Sequence, residues 1–339
     1  MGFLSDKAIE RLRCTPDLPD FSGTRYTLLE VVARGGMGVV YLALDRTLNR
    51  RVALKVLDAA DPNAELAERL TREAQILAQL EHPGVVPVHD VGTLPGDQVF
   101  YVMKFVEGLP LDRFLASMSF LPERLRTFLR VCEPVSFAHS RGVLHRDLKP
   151  ANLMAGAFGE VLVLDWGLAK ILLGGSARPN RENASLQEPS PHPGLYGAGQ
   201  PATATEHGLV MGTPGFMSPE QEQGESASLD VRSDVFSLGK LLEFLVTDWA
   251  SLANGKIPKA LRAVIVLATS TRPADRYPSV ADLAAEVSRF LDGLPVSAYR
   301  ENLWERLQRF YQRYRAAIVL IIMYLVMRTL FVLYARHGS

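Results

Sequence analysis

Two short polar segments in the middle of the chain carry residue types suited to metal binding and proton transfer. They are His145-Arg146-Asp147-Leu148-Lys149-Pro150-Ala151-Asn152 and Asp165-Trp166-Gly167. The side-chain oxygens of Asn152 and Asp165, on either side of a predicted hairpin, can converge on a hard cation. Asp147 can accept the proton of an attacking hydroxyl group. Either aspartate alone could be a turn residue, but an acid, a lysine, an amide and a second acid in this order are hard to explain as turns.

Three features nearer the N-terminus are suited to phosphate binding. The segment Ala33-Arg34-Gly35-Gly36-Met37-Gly38-Val39-Val40 lies between two strand patterns. Its glycines let backbone N–H groups approach phosphates, although a plain turn explains the segment more simply when it is taken alone. Lys55 lies in an apolar strand pattern, and a buried lysine needs a phosphate or a carboxylate as its partner. Glu73, in a predicted helix, is a suitable carboxylate, although a solvated helix face is the simpler explanation of Glu73 by itself.

The apolar patterns predict the elements that must position these residues. Residues 1–25 are predicted to form a short polar leader. Strand patterns at 26–33, 39–44 and 51–57 precede a predicted helix from Pro62 to Leu80, and strand patterns follow at 85–91 and 99–105. Beyond Gly108 helical patterns dominate, at 122–142, from about 231, at 257–269 and at 280–291. Residues 172–208 hold 6 Gly and 5 Pro without apolar periodicity, which predicts a long loop.

The composition narrows the class of protein. The 339 residues include 37 Lys+Arg and 37 Asp+Glu, and this zero net charge argues against a chain dominated by nucleic-acid binding. A hydrophobic share of 47% excludes wholesale disorder. The two cysteines, Cys14 and Cys132, are too few for a disulfide framework or a Cys-rich zinc site.

Taken in order, these motifs resemble those of the Hanks-type (eukaryotic-like) Ser/Thr protein kinases in the form common in bacteria. The resemblance extends from about Tyr26 to Leu291 and includes the Gly-rich loop, Val-Ala-Leu-Lys, a helix-C glutamate, His-Arg-Asp-Leu-Lys-Pro-x-Asn and Asp-x-Gly. A Pro-Glu segment follows at 212–220. The resemblance implies an α+β, bilobal protein-kinase fold. It has a small β-rich N-lobe over 26–105 and a larger helical C-lobe over 106–292, which carries a long activation loop over 165–220.

The same resemblance implies an ATP site. Ala33, Gly35, Gly36 and Gly38 would cover the phosphates, and Val40, Ala53 and Leu153 would enclose the adenine. Phe105 and Val106 would offer backbone hydrogen bonds to the base, with Met103 at the gatekeeper position. ATP is therefore the expected nucleotide.

The catalytic roles that the resemblance implies are positioning and charge neutralisation. Lys55, held by Glu73, would contact the α- and β-phosphates, Asp147 would accept the proton of the substrate hydroxyl, and Lys149 would neutralise charge on the γ-phosphoryl group. Asn152 and Asp165 would hold Mg²⁺. Thr213, Glu220, Asp234 and Arg276 are implied to be structural, with Thr213 contacting Asp147 and Lys149 and with Arg276 as the buried partner of Glu220.

The expected function is transfer of the γ-phosphate of Mg-ATP to Ser or Thr hydroxyls of proteins, the chain itself included. No catalytic polar residue is missing, and a membrane-anchored pseudokinase scaffold is the alternative. A small-molecule kinase is a third hypothesis, which the Gly212-Thr213-Pro214 and Pro219-Glu220 segments disfavour.

The chain departs from the family pattern at four places. Ala33 replaces the first glycine of the loop, Trp166 replaces a phenylalanine and Ser218 replaces an alanine. The span from Gly239 to Thr271 is shorter than in the family, so the helix-G region that often docks protein substrates is trimmed. These changes bear on nucleotide affinity and on substrate docking more than on phosphoryl transfer.

Regulation by phosphorylation is also implied. Arg146 precedes Asp147, and in the resembled family such an arginine pairs with a phosphorylated activation loop. Thr203 and Thr205 lie where bacterial members carry phosphorylated threonines, so both are expected to be autophosphorylated. The alternative is that they are ordinary polar residues of a loop.

The C-terminal region predicts a membrane anchor. Eighteen of the 20 residues over 316–335 are hydrophobic, and as a helix at ~1.5 Å per residue they would extend about 30 Å, the thickness of a bilayer core. A basic linker over 293–315 precedes the segment and a short tail over 336–339 follows it. This asymmetry predicts a single-pass protein of the cell membrane with a cytoplasmic kinase domain. Arg328 within the segment keeps a buried or self-associating helix as the alternative, and a homodimer stays open.

Overall fold

The structure is a computed structural model. It describes residues 19–35, 38–57, 64–96, 98–166, 170–171, 215–224, 229–252, 255–300, 302 and 318–329. Over these residues the chain forms two compact units. The first unit lies within 1–112 and 137–189, and the second lies within 113–136 and 190–339.

A five-stranded antiparallel sheet forms the frame of the first unit. Its strands are β1 (Tyr26–Gly35), β2 (Gly38–Asp45), β3 (Arg50–Val56), β4 (Val88–Leu94) and β5 (Gln98–Lys104), in the order β1-β2-β3-β5-β4. Side chains alternate between the two faces of a strand, so Val52, Leu54 and Val56 share one face of β3 while Lys55 lies on the other. The five predicted strands are therefore present, and the fourth begins later than the pattern indicated.

One face of the sheet carries its own apolar core. The buried side chains of this core are Phe21, Tyr26, Val39, Tyr41, Ala43, Val52, Leu54, Val56, Leu94, Phe100 and Val102. Phe21 packs edge-on against Phe100, with 5.0 Å between the ring centroids. Sequence reasoning placed Phe21 in the leader, because a single aromatic residue before the first strand has no periodic pattern. Residues 1–18 of the predicted leader lie outside the described residues.

Helix α1 (Ala64–Gln79), close to the predicted helix, packs on the opposite face of the sheet against β4 and β5. The buried residues Leu70, Ala74 and Leu77 recur at helical spacing along α1 and pack toward the sheet. Glu73 lies on the same face of α1 and is only 2% exposed. A solvated position for Glu73 is thereby excluded.

Short strands follow the sheet within the first unit. They comprise β6 (Gly108–Pro110), β7 (Val143–Leu144), β8 (Leu153–Gly156), β9 (Val161–Val163) and β10 (Lys170–Ile171), with a 3₁₀ turn at Pro150–Asn152 before β8. They pair in the orders β6-β8-β9 and β10-β7. Val163 forms a bridge with Val85, and its N–H donates to the Gly84 carbonyl at 2.8 Å. These hydrogen bonds place the His145–Asp165 segments in the same compact unit as the sheet.

The helices of the chain also include α2 (Leu111–Ala116), α3 (Leu121–Ser140), α4 (Pro219–Glu222), α5 (Val231–Leu252), α6 (Lys259–Ala268) and α7 (Val280–Leu291). In the second unit α5 and α6 approach closely at Gly239, where an added Cβ would lie 2.8 Å from the Cβ of Ala268 and from the Cγ2 of Thr269. A glycine is therefore required at position 239 for α6 to pack this closely on α5.

Arg124 is a buried charge that the sequence did not reveal. Its guanidinium is fully buried and donates to the carbonyls of Leu115 at 2.8 Å, Met118 at 3.0 Å and Leu245 at 3.1 Å. It also pairs with the carboxylate of Asp248 at 2.6 Å. Arg124 thus joins the start of α3 to the C-terminal part of α5, because a buried guanidinium requires acceptors for all its N–H groups.

The predicted membrane segment lies only partly within the described residues. Residues 318–329 are helical, and their apolar side chains from Val319 to Met327 are between 50% and 65% exposed. Across the part of the chain that the structure describes, no helix combines the length and the apolar character needed to cross a membrane.

Candidate nucleotide and catalytic site

A buried ion pair lies at the centre of the first unit. The Nζ atom of Lys55 donates to Oε1 and Oε2 of Glu73 at 2.9 and 3.0 Å, and also to Oδ1 of Asp165 at 3.1 Å. Lys55 is 8% exposed and Glu73 is 2% exposed. Lys55, buried in an apolar strand, therefore has the anionic partner that it requires.

Burial and charge act in opposite directions on this group of residues. Burial alone would lower the pKa of Lys55, but the attraction of Glu73 and Asp165 together raises that pKa above its usual value. Burial opposes the ionisation of Asp165, yet Lys55 holds the Asp165 pKa below its usual range. The site therefore holds a protonated lysine between two acids, which is a suitable setting for a ligand with negatively charged oxygens.

The catalytic-loop candidates lie between β7 and β8. The Nζ of Lys149 donates to Oδ2 of Asp147 at 2.7 Å, and the Nδ2 of Asn152 donates to the Asp147 carbonyl at 2.8 Å and to its Oδ2 at 3.0 Å. The structure thus brings together Asp147, Lys149 and Asn152, three residues that sequence spacing alone could not place in contact.

His145 holds this loop through hydrogen bonds to the backbone of Asp147 and Leu164. Its Nε2 lies 3.0 Å from the Leu164 carbonyl, so Nε2 carries the proton and donates, while Nδ1 accepts from the N–H of Asp147 at 3.3 Å. The His145 ring also packs on Trp166, with centroids 4.6 Å apart. His145 is fully buried. It therefore positions Asp147 and the segment before Asp165, a role that the sequence analysis did not assign.

Asp165 has a strained backbone. Its φ of +56° lies in the left-handed region, which costs a non-glycine residue on the order of 1–3 kcal/mol. The following Trp166 is fully buried, and its Nε1 donates to the Val163 carbonyl at 3.3 Å. The contacts of Trp166 and the ion pair with Lys55 hold Asp165 in this conformation, with its carboxylate 47% exposed.

The oxygen donors of Asn152 and Asp165 suit a hard divalent cation. The two hydrogen bonds that the Asn152 side chain makes among the described residues are donated by Nδ2, so neither of them uses Oδ1. A carboxylate and an amide oxygen are the protein ligands that Mg²⁺ uses beside phosphate oxygens and water. No group of three or more His, Cys, Asp or Glu residues suited to a metal occurs among the residues that the structure describes.

The described residues of the Gly-rich segment lie on the paired strands β1 and β2. Gly38 has a φ of +139°, and a Cβ there would lie 2.2 Å from the Val56 carbonyl oxygen, so a side chain cannot be accommodated. Ala33 pairs with Val40 and Gly35 with Gly38 in the hairpin register. Gly36 lies outside the described residues.

The predicted adenine contacts lie on the sheet and on β8. Register places Val40 opposite Lys55, and Ala53 opposite Met103. Phe105 and Val106 follow β5 directly, and Leu153, the first residue of β8, is fully buried. The roles of these residues toward a nucleotide stay predictions.

The predicted structural pair is formed in the second unit. Arg276 donates to Oε1 and Oε2 of Glu220 at 2.7 and 2.8 Å, and Ser233 donates to the same Oε1 at 2.9 Å. Asp234 is fully buried in α5. Burial would raise the pKa of Glu220, but the hydrogen bonds from Arg276, the backbone and Ser233, with the positive charge of Arg276, together hold that pKa below its usual 4.5.

The regulatory candidates are only partly described. Arg146 adopts a left-handed backbone with a φ of +70°. Thr203, Thr205 and Thr213 lie outside the described residues, as do most of the predicted activation loop residues between Trp166 and Gly215. Their roles therefore stay predictions.

The sheet, the helix that supplies Glu73 and the segments around β8 and β9 that carry Asp147, Asn152 and Asp165 define a protein of the kinase class. The chain belongs to the protein kinase domain family, whose model matches residues 26–296. Its fold, with a β-sheet N-lobe and a helical C-lobe, is similar to that of the PknI kinase domain of Mycobacterium tuberculosis. The two are 24% identical, the match covers 78% of this chain and 96% of the PknI domain, and the TM-score is 0.53.

Curated relatives are more similar in sequence. The serine/threonine-protein kinase PknD of Chlamydia abortus is 35% identical over 305 residues, which covers 80% of this chain and 31% of that protein. PknD of Chlamydia trachomatis serovar D is 33% identical over 310 residues, which covers 80% of this chain and 32% of that protein. The chain therefore spans about a third of the length of the curated relatives that it matches.

Proposed function

We propose that this protein is a serine/threonine protein kinase that uses Mg-ATP. The observation that carries the proposal is the cluster of Lys55, Glu73 and Asp165, held by hydrogen bonds of 2.9 to 3.1 Å within the same unit as the Asp147–Lys149–Asn152 loop. The relatives named serine/threonine-protein kinase support the choice of Ser and Thr as acceptors.

Each group has a chemical task in phosphoryl transfer. The substrate hydroxyl oxygen forms a bond to the γ-phosphorus, the bond from that phosphorus to the β–γ bridging oxygen breaks, and the hydroxyl proton passes to Asp147. Lys149, 2.7 Å from Asp147, places positive charge beside the transferring group. Lys55 binds the phosphates that stay on the nucleotide. A magnesium ion held by Asn152 and Asp165 would neutralise phosphate charge.

Binding of Mg-ATP separates this function from a pseudokinase scaffold that does not bind the nucleotide. Mg-ATP at about 100 times its Kd is expected to stabilise the full chain by about 2.7 kcal/mol, which a thermal-shift measurement detects. Asp165→Asn should lose most of the magnesium-dependent part of this shift, because one anionic oxygen ligand is removed. Asp282→Asn, at an exposed position of α7, is the matched control. No shift with the wild-type chain would contradict the proposed nucleotide site.

We infer that autophosphorylation occurs at Thr203 and Thr205. The proposal rests on the position of these threonines in the sequence and on Arg146 beside Asp147, which would pair with a phosphorylated loop. Mass spectrometry of protein incubated with Mg-ATP is expected to find phosphate on at least one of the two threonines. An active wild-type protein with both threonines unmodified would contradict this regulatory role.

We also infer that residues 316–335 anchor the protein in a membrane with the kinase domain in the cytoplasm. Support comes from the apolar composition of the segment and from the arginines that precede it, at 300, 306, 309, 313 and 315. The full chain is expected to stay in the membrane pellet during alkaline carbonate extraction, because a spanning helix is not released when electrostatic contacts are removed. A variant ending at residue 299 is the control, and release of the full chain into the supernatant would contradict the anchor.

A further inference from the structure

Tyr101 is a polar residue at the centre of β5, between apolar neighbours. It is 2% exposed, and its neighbours Phe100 and Val102 are equally buried members of the sheet core. Register places Tyr101 directly opposite Lys55 on the adjacent strand β3. A buried hydroxyl is costly without a hydrogen-bond partner, so the position of the Tyr101 hydroxyl requires an explanation.

That partner is Glu73. The Tyr101 hydroxyl donates to Glu73 Oε1 at 2.7 Å, and the same oxygen also accepts from Lys55 at 2.9 Å. The Nζ of Lys55 lies 5.8 Å from the centroid of the Tyr101 ring. Burial raises the pKa of Tyr101 well above 10, so its hydroxyl keeps the proton that it donates. Three buried side chains from β3, β5 and α1 therefore share one hydrogen-bond network.

All three N–H groups of the Lys55 ammonium are needed for its present contacts, which matters when a phosphate binds. An ammonium group has three N–H donors, and Lys55 directs contacts to three oxygens, two on Glu73 and one on Asp165. A nucleotide phosphate that approaches Lys55 must take the place of one of these acceptors. The Tyr101 hydroxyl has one hydrogen and donates it to Glu73. This hydrogen bond does not involve Lys55, so it can hold Glu73 in place while the contacts of Lys55 change.

We propose that the Tyr101 hydroxyl is a positioning group, which ties Glu73 and with it helix α1 to the centre of the sheet independently of Lys55. The anchoring is a property of the fold, whereas its consequence for phosphoryl transfer rests on the proposed function. One hydrogen bond to a charged group in a buried site is strong enough to hold Glu73. Its loss is expected to lower the population of molecules with Glu73 in this position by about tenfold or more.

The anchoring is tested with Tyr101→Phe, which keeps the ring and removes only the hydroxyl. Tyr26→Phe is a matched control, because Tyr26 is also buried in this sheet and donates to a carboxylate, Asp90, at 2.7 Å away from the site. Hydrogen–deuterium exchange of the full chain is expected to be about tenfold faster over residues 67–79 in Tyr101→Phe alone. Unchanged exchange over α1, or equal acceleration in both variants, would overturn the proposal.

The catalytic consequence is tested by steady-state kinetics of the same proteins. In Tyr101→Phe we expect kcat/KM to fall about tenfold, with KM for ATP raised, because a displaced Glu73 no longer fixes Lys55 for the phosphates. If Tyr101 had a purely structural role, Tyr101→Phe would reduce only the fraction of folded enzyme. That change would lower the apparent kcat and leave the KM for ATP unchanged. A Tyr101→Phe enzyme with the KM of wild type would overturn the catalytic part of the proposal.

Failure of the proposed function gives a different result. A wild-type chain that transfers no phosphate from Mg-ATP would contradict the kinase activity, while the exchange rates over α1 would still decide whether Tyr101 anchors Glu73. An active wild type with equal exchange and equal kinetics in Tyr101→Phe and Tyr26→Phe would leave the kinase intact and overturn the role of Tyr101.

Discussion

Replacing Asp147 with asparagine is expected to lower autophosphorylation by about 10²–10⁴-fold. Asparagine keeps the size of the side chain, and its oxygen can still accept from Lys149 and Asn152, which share Oδ2 of Asp147. An amide cannot, however, accept the proton of the attacking hydroxyl. Binding of Mg-ATP should persist, because Lys55, Asn152 and Asp165 are unchanged.

The measurement is incorporation of labelled phosphate from Mg-ATP into the purified full chain. Lys55→Met is included as a second variant, since it removes the charge that would contact the phosphates, and a loss of about 10²–10³-fold is expected. Asp112→Asn, at an exposed position, is a control for the loss of one negative charge. Equal label in wild type, Asp147→Asn and Lys55→Met would contradict the enzyme and favour the scaffold.

The second large effect is expected on stability, at the Glu220–Arg276 pair. Arg276→Met should lower the free energy of unfolding by about 3–5 kcal/mol, because it leaves the Glu220 carboxylate, 8% exposed, without its bidentate partner. Arg276→Lys should lie between this variant and wild type, since an ammonium group cannot reproduce the two parallel hydrogen bonds. Denaturant unfolding of the three proteins measures the difference.

The same pair predicts a pH dependence. The pKa of Glu220 in the folded protein lies below its usual 4.5, so the pair contributes stability above that value and loses it as the pH falls through the folded pKa. The deficit of Arg276→Met should therefore narrow in acid.

A control for this experiment lies four residues earlier in the chain. Arg272 pairs with Asp275 at 3.8 Å with both side chains largely exposed, so Arg272→Met should change stability by less than about 1 kcal/mol. Equal effects of the Arg272 and Arg276 substitutions, or a deficit that widens in acid, would contradict the proposed role of the buried pair.

Much of the fold of the first unit could be predicted from the residues alone. The β-branched and aliphatic residues over 51–57 predicted β3, and the spacing of Leu70 and Leu77 predicted the helix that carries Glu73. Both succeeded because residue type and the spacing of apolar residues report the burial of a single element, and that information is local. An apolar strand position also required an anion beside Lys55, for electrostatic reasons that hold in any fold.

The resemblance implied the pairs Lys55–Glu73 and Glu220–Arg276, but other long-range partners were decided only by the tertiary structure. Lys55 and Asp165 are 110 positions apart, and Arg124 and Asp248 are 124 apart, so no spacing rule connects them. The packing of Phe21 on Phe100 also joins residues that are distant in the sequence, so no periodic pattern predicts it.

The chain by itself determined the order and type of its chemical groups: a glycine hairpin, a lysine in a strand, and an acid–lysine–amide loop before a second acid. Only the folded structure decided how Glu73 is held, since a sequence pattern marks Tyr101 as buried but does not show which side chain its hydroxyl meets. Burial can be predicted from the residue pattern of a single strand or helix. A hydrogen bond between two elements depends on their relative position to within a few tenths of an ångström.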